Sequence, residues 1–146
     1  MRILAVDYGQ KRTGLAISDP LGIFGQPFDT ITACDPREVA SRISALCVER
    51  GVGTIVLGLP RSMDNTLGPK AEETLAFRDI LAGQTQVPIV TWDERLTTVQ
   101  AERSLRDADL SRKKRRQRVD AVAAQIILQG YMDATRKAKT QKTTPD

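Results

Sequence analysis

The stretch Ile3-Leu4-Ala5-Val6-Asp7-Tyr8-Gly9, close to the start of the chain, decides the fold. Its first four residues are all apolar, which indicates a strand buried on both faces, because a strand with one wet face alternates. Asp7 ends this strand, and Gly9 begins a turn that extends to Arg12. We therefore expect the carboxylate of Asp7 to lie at an edge of a sheet and to face solvent.

The rest of the chain adds two more strands and then alternates helices with strands. This order predicts an α/β fold with a mixed five-stranded sheet, in which a three-stranded antiparallel meander is joined by two parallel strands and flanked by helices. Ligands in such sheets gather beyond the carboxyl ends of the parallel strands. Asp35 is the predicted N-cap of the first helix. The predicted strands cover residues 2–6, 13–18, 28–32, 54–59 and 89–92, and the predicted helices cover 36–50, 69–81, 97–107 and 117–132.

Length and composition fit one domain with one core. The 146 residues are 40% hydrophobic and carry a formal net charge of +4. We expect the domain to cover 1–135 and a disordered basic tail to cover 136–146, because the tail lacks hydrophobic periodicity. No apolar run approaches the roughly 20 residues of a membrane span, and no signal peptide precedes the first strand. A cytoplasmic protein is the simplest interpretation.

The chain contains no histidine, which excludes several mechanisms. Ser-His-Asp and Cys-His nucleophiles, a histidine base and histidine-ligated zinc all require it. Cys34 and Cys47 are too few for a disulfide scaffold and do not have metal-ligand spacing. Cys47 is predicted to lie in the core. What remains is chemistry carried by carboxylates, lysines, hydroxyl groups or a hard cation held by oxygen ligands.

Three carboxylates could converge at one edge of the sheet. Asp7 ends the first strand, Glu94 follows the fifth, and Asp120 opens an amphipathic helix near its N-terminus, where the helix dipole favours a carboxylate. Asp93 competes with Glu94, because adjacent side chains on an extended backbone point to opposite faces. We favour Glu94 and keep Asp93 as the alternate. The simpler explanation is that each acid only caps a turn or a helix.

Positive charge is concentrated in one segment of the chain. Residues 112–118 place six cations in seven positions, directly before the helix that carries Asp120. A concentrated basic segment favours a polyanionic partner, and the low aromatic content favours contact with a nucleic-acid backbone over base stacking. The candidate nucleic-acid-binding residues are Arg12, Arg95, Arg112, Lys113, Lys114, Arg115, Arg116 and Arg118.

Several motifs together resemble one protein family, the YqgF family, also called RuvX. Its members are described as Holliday junction resolvases or pre-16S ribosomal RNA nucleases. The resemblance covers about residues 1–133, with the motifs in family order. The motifs are Asp7-Tyr8-Gly9, Arg12-Thr13-Gly14-Leu15-Ala16, Gly58-Leu59-Pro60, Asp93-Glu94-Arg95-Leu96-Thr97-Thr98 and Asp120-Ala121-Val122-Ala123-Ala124-Gln125-Ile126-Ile127-Leu128.

The resemblance implies a ribonuclease H-like fold and a nuclease that depends on Mg²⁺ or Mn²⁺. It also implies that Asp7, Glu94 and Asp120 occupy the family's acidic positions as catalytic residues and metal ligands. The chain departs from RuvC-type resolvases, in which the middle acid follows the fourth strand, because the next acid after Gly58-Leu59-Pro60 is Asp64. A ligand after the fifth strand lies about 10 Å from the first strand at backbone level.

Four functions remain open at this point. Processing of the 5′ end of pre-16S ribosomal RNA is the preferred one, and resolution of four-way DNA junctions uses the same chemistry. Partners are therefore structured RNA or branched DNA, bound by a monomer or by a homodimer, which symmetric junction cleavage requires. The stretch from Asp7 to Gly14 also looks like a phosphate loop of the actin and sugar-kinase superfamily, which needs a second domain. A non-catalytic nucleic-acid-binding protein is the fourth alternative.

Overall fold

The structure is a computed structural model that describes the backbone of residues 1–60, 68–94 and 112–143. Side chains are described over the same ranges, apart from 112–120 and 137–143. The helix predicted over 97–107 and most of the polar stretch predicted after residue 60 lie outside the described residues.

Five strands form one mixed sheet in the order β3-β2-β1-β4-β5. β2 pairs antiparallel with both β1 and β3, whereas β4 pairs parallel with both β1 and β5. The predicted meander with two parallel strands is therefore confirmed. The carboxyl ends of β1, β4 and β5 share one side of the sheet, which we call the carboxyl edge. The strands are β1 (Arg2–Asp7), β2 (Arg12–Ser18), β3 (Gly25–Thr32), β4 (Val52–Leu59) and β5 (Ile89–Asp93).

Helix α1 (Pro36–Arg50) has the predicted bounds because both of its ends are specified locally. The side chain of Asp35 accepts a hydrogen bond from the amide of Arg37 at 3.0 Å. Gly51 ends the helix in the left-handed conformation, with φ of 66°, which glycine adopts at little cost. Helix α2 (Pro69–Ala82) begins at Pro69, whose missing N–H is not needed in a first turn.

Helix α3 (Arg112–Thr143) is longer at both ends than the predicted helix over 117–132. The basic segment forms its first two turns, and the helix continues past residue 136, where the tail was predicted to begin. The reason is that lysine, alanine and glutamine extend a helix by intrinsic propensity, even without an apolar stripe. The division of the chain into a domain over 1–135 and a tail stays a prediction.

Two hydrophobic layers cover the two faces of the sheet. Helices α1 and α2 cover one face, where Leu4 and Val6 of β1 are buried together with Phe77 of α2. Cys47 is buried in the same layer, as predicted, and burial raises the pKa of its thiol to about 11. Helix α3 covers the other face, where small residues allow close approach. This second layer consists of Ala5, Ala16, Val56, Ala123, Ala124, Ile127, Leu128 and Met132.

The direction of α3 follows from contacts at two places on this face. Near its middle, Ile127 packs against Gly58 at the carboxyl end of β4. Farther along the helix, Leu128 and Met132 pack against Gly25, which pairs with Ser18 at the opposite side of the sheet. The N-terminal half of α3 therefore points toward the carboxyl edge. No helix in the described part of the chain is long and apolar enough to cross a membrane.

The capping role of Asp35 gives a stability prediction. Asp35→Ala removes the acceptor for the amide of Arg37, and we expect it to lower the free energy of unfolding by about 0.5–2 kcal/mol. Asp35→Asn keeps an oxygen acceptor and is the matched control, with stability close to that of the unmodified chain. Urea unfolding followed by circular dichroism measures both. Equal stabilities of the two variants would show that the side-chain cap of Asp35 does not stabilise α1.

Candidate active site at the carboxyl edge of the sheet

Asp7 is the last residue of β1 and therefore lies at the carboxyl edge, where the sequence predicts it. Side chains alternate along a strand, so Asp7 shares the α3 face with Ala5. The side chain is only 6% exposed, so the expectation that it faces solvent was wrong. The physical reason is that α3 packs directly on this face of β1, which covers the edge more deeply than the strand pattern alone indicates.

Glu94 directly follows β5 and is also buried, at 8% exposure. Its Oε1 atom lies 2.9 Å from the point where a Cβ atom on Gly58 would stand. The carboxylate therefore lies over β4, the strand between β5 and β1. Val6 pairs with Leu57 in parallel register, so Gly58 is level with Asp7. The carboxylate of Glu94 therefore lies about one strand spacing, roughly 4.8 Å, from β1, although the strand that leads to it is two spacings away.

Gly58 makes this arrangement possible because it has no side chain. A Cβ atom at this position would lie 2.5 Å from Cδ1 of Ile127 and 2.9 Å from Oε1 of Glu94. Both distances are shorter than nonbonded contacts allow, so the helix and the acid use the same empty space above β4. We predicted no role for Gly58 from the sequence. The available signal was a glycine near the end of an otherwise apolar strand, which often marks a close approach.

Asp93 lies on the other face of the sheet. It is the last residue of β5 and pairs with Leu59, one position beyond the pair of Gly58 with Trp92. Trp92 packs in the α3 layer, so alternation directs Asp93 toward the layer of α1 and α2. Of the two adjacent acids, Glu94 is therefore the one that shares a face with Asp7.

Asp120 lies in α3, about two turns after the first residue of that helix. The expectation that it lies near the helix N-terminus and benefits from the dipole was therefore wrong, because the basic segment before it is helical. Its side chain lies outside the described residues. By position it precedes Ala123 by three residues and Ile127 by seven, so its backbone lies on the sheet-facing side of the helix, toward the carboxyl edge.

The metal-ligating atoms that the described residues of the candidate site supply are oxygens. Asp7 and Glu94 are the two described carboxylates on this face of the edge. Among the residues with described side chains, no group of three acids, cysteines or histidines could hold a metal ion. Arg12 begins β2 beside the site and is half-buried. The side chains of Arg95 and of residues 112–118 lie outside the described residues.

The order and direction of the five strands define the fold class of this chain. The structure matches Thermus thermophilus RuvC, solved in complex with a Holliday junction substrate, with a TM-score of 0.57. The match covers 93% of this chain and 96% of that one, at 12% sequence identity. At this identity the likeness shows the fold alone. The chain has the ribonuclease H-like fold, as the resemblance implied.

Sequence comparison identifies the family of this chain among proteins with the ribonuclease H-like fold. The family model described as "RuvX: Holliday junction resolvase" matches residues 1–134, and the chain belongs to the RuvX family. A relative from Pelotomaculum thermopropionicum is 48% identical, covering 92% of this chain and 88% of its own length. A relative from Clostridium acetobutylicum is also 48% identical, covering 92% and 99%. Both are described as "Putative pre-16S rRNA nuclease".

The crowding above Gly58 gives a second prediction. Gly58→Ala should displace the carboxylate of Glu94 and lower the free energy of unfolding by about 1–3 kcal/mol, the usual cost of overpacking. Adding Ile127→Val removes Cδ1, the nearer of the two atoms, and should restore part of the stability without restoring the position of Glu94. Urea unfolding and a crystal structure of the double variant test these outcomes. Unchanged stability of Gly58→Ala would contradict the packing described above.

Proposed function

We propose that the chain is a divalent-metal-dependent nuclease that hydrolyses phosphodiester bonds in maturation of the 5′ end of pre-16S ribosomal RNA. Membership of the RuvX family and the description of the two relatives as pre-16S rRNA nucleases support the proposal. The observation that carries it is the placement of two buried carboxylates, Asp7 and Glu94, on one face of the carboxyl edge. This substrate would place the activity in the cytoplasm.

The donor set of the proposed site fits a hard cation. Carboxylate oxygens are the ligands that Mg²⁺ and Mn²⁺ prefer. Two carboxylates that share a buried site favour a bound divalent cation, because its charge offsets their mutual repulsion. Asp7 and Glu94 would therefore hold the metal, with Asp120 as the third ligand. A metal ion bound there would activate water and stabilise the leaving oxygen of the phosphodiester.

The protein contributes position and charge to this reaction. Asp7 is fixed by its place at the end of a central strand, and Glu94 is fixed against Gly58, so neither carboxylate needs to reorganise before reaction. Helix α3 brings Asp120 and the basic first turns toward the same edge. Cations there would neutralise phosphates and position the strand without reading its sequence. The proposed nucleic-acid-binding residues are Arg12, Arg95, Arg112, Lys113, Lys114, Arg115, Arg116 and Arg118.

Resolution of four-way DNA junctions is the second candidate, because the matching family model is described as a Holliday junction resolvase. The two functions differ in what the site requires beyond the acids. Symmetric cleavage of a junction needs two sites related by a two-fold axis, hence a homodimer. Cleavage of one RNA strand needs only one site and is compatible with a monomer.

The carboxylate of Asp7 provides the direct test. Asp7→Asn should lower metal-dependent cleavage by more than about 100-fold, because even residues behind a ligand cost 10–100-fold in metal affinity or activity. Binding of RNA in a chelator should persist. Asp79→Asn, which changes an exposed acid on α2, is the matched control and should cleave normally. Cleavage is measured with Mn²⁺ and Mg²⁺ on a pre-16S ribosomal RNA fragment and on a four-way DNA junction.

The outcomes separate the alternatives. Cleavage of the RNA, lost in Asp7→Asn and kept in Asp79→Asn, supports the proposal. Cleavage of the junction alone favours the second candidate. Binding without cleavage of either substrate favours a non-catalytic nucleic-acid-binding protein, and undiminished cleavage by Asp7→Asn removes Asp7 from the mechanism.

A further inference from the structure

A cleft of about 490 Å³ opens beside the candidate active site, on the other face of the sheet. It lies between the turn that follows β1 and the first turns of α2. Tyr8, the residue after Asp7, lines it and stacks on Phe77 with ring centroids 4.1 Å apart. Asp7 and Tyr8 point to opposite faces, so the cleft and the carboxylates lie on the two sides of the end of β1.

Positive charge dominates the described part of this cleft. Among the described residues that line it, Lys11 and Lys70 carry cationic side chains and Glu73 carries a carboxylate. Among the described residues, no acidic side chain forms an ion pair with Lys11 or Lys70. A concave surface with unbalanced positive charge focuses the field and concentrates anions.

The lining is held in place before any ligand arrives. Nε2 of Gln10 donates a hydrogen bond to Oε1 of Glu73 at 2.7 Å, which fastens the turn to α2. The turn itself requires glycine, because a Cβ atom on Gly9 would collide with the carbonyl oxygen of Arg12. The tight turn therefore holds the backbone of Lys11 next to α2.

Other features of the cleft also suit an oxyanion. Gly68 is the N-cap of helix α2 and makes no side-chain cap, so the positive end of the helix adds to the charge of Lys70. The hydroxyl group of Tyr8, whose side chain lines the cleft, can donate a hydrogen bond.

We propose that this cleft binds a phosphate of the nucleic-acid backbone that flanks the phosphate held at the candidate active site. The ligand class rests on the proposed function, whereas the site rests on the cleft itself. A strand seated at Asp7 passes the end of β1 and meets Lys11 and Lys70 directly beyond it. A free nucleotide fits less well, since the ring of Tyr8 is already stacked on Phe77 and offers that face to no base.

Charge substitutions of opposite sign test the proposal. The double substitution Lys11→Gln and Lys70→Gln should weaken binding of a fluorescein-labelled RNA hairpin by about three- to tenfold and reduce the salt slope by about 1–2. Glu73→Gln should strengthen binding by about twofold or more, because it removes a repelling charge. The amide oxygen of the glutamine introduced at position 73 can still accept the hydrogen bond from Gln10. A gain in affinity cannot result from misfolding.

Arg42→Gln is the matched control, because Arg42 is an exposed cation on α1 outside the cleft and pairs with Glu38. It should bind the hairpin as the unmodified chain does. All binding is measured by fluorescence anisotropy in a chelator at several salt concentrations. Cleavage therefore plays no part, and a chain that fails to cleave any substrate would still test the cleft.

Any one of four results would overturn the proposal. The first is unchanged binding by the lysine variant, and the second is an equal loss in Arg42→Gln, which would show that only total charge matters. The third is a failure of Glu73→Gln to strengthen binding. ATP is the competing ligand in a parallel titration. Tight ATP binding that the lysine substitutions abolish would assign the cleft to a free nucleotide and equally contradict a backbone phosphate.

Discussion

The close approach of three elements at Gly58 is the constraint on which the candidate site depends. Helix α3 can lie low over the sheet because the central strands present alanine and glycine to it. The same missing side chain leaves room for the carboxylate of Glu94 above β4. Protein interiors are packed too densely to tolerate an added atom at such a point. The depth of the helix and the position of the acid are therefore set together.

The path of α3 connects this packing to the rest of the edge. Its C-terminal half is held far from the edge by Leu128 and Met132 against Gly25, and its middle is held by Ile127 against Gly58. A helix anchored at two such places has a fixed direction. That direction brings Asp120 and the basic first turns toward the carboxyl edge.

The end of β1 divides the edge into an acidic side and a basic side. Alternation along a strand sends Asp7 toward α3 and Tyr8 toward α2, so adjacent residues serve different surfaces. The acids on one face would attract a cation, whereas Lys11 and Lys70 on the other attract a phosphate. Among the described residues, neither lysine forms an ion pair with these acids. A nucleic-acid strand fits such an edge, because its cleavage would use a bound cation on one side and its phosphates would be neutralised by the lysines on the other.

Much of this architecture could be predicted from the sequence, because its signals are local. The bounds of α1 follow from Asp35 and Gly51, and the central strands follow from continuous apolar runs. The sequence did not reveal the role of Gly58, since that role requires knowing that β4 lies between β1 and β5. The length of α3 was underestimated for a related reason. An apolar stripe marks where a helix packs, not where intrinsic propensity lets it continue.

The register of the strands decides which of two adjacent acids faces the candidate site. Sequence alone allows either Asp93 or Glu94 to face the site, because both follow the same apolar run. The register of β5 on β4 decides between them, since Trp92 pairs with Gly58 and shares its face. On the proposed function, phosphate contacts around this edge would hold a backbone without distinguishing bases. The selection of one cleavage position would then rest on the shape of the folded RNA, which is how most structured RNA is recognised.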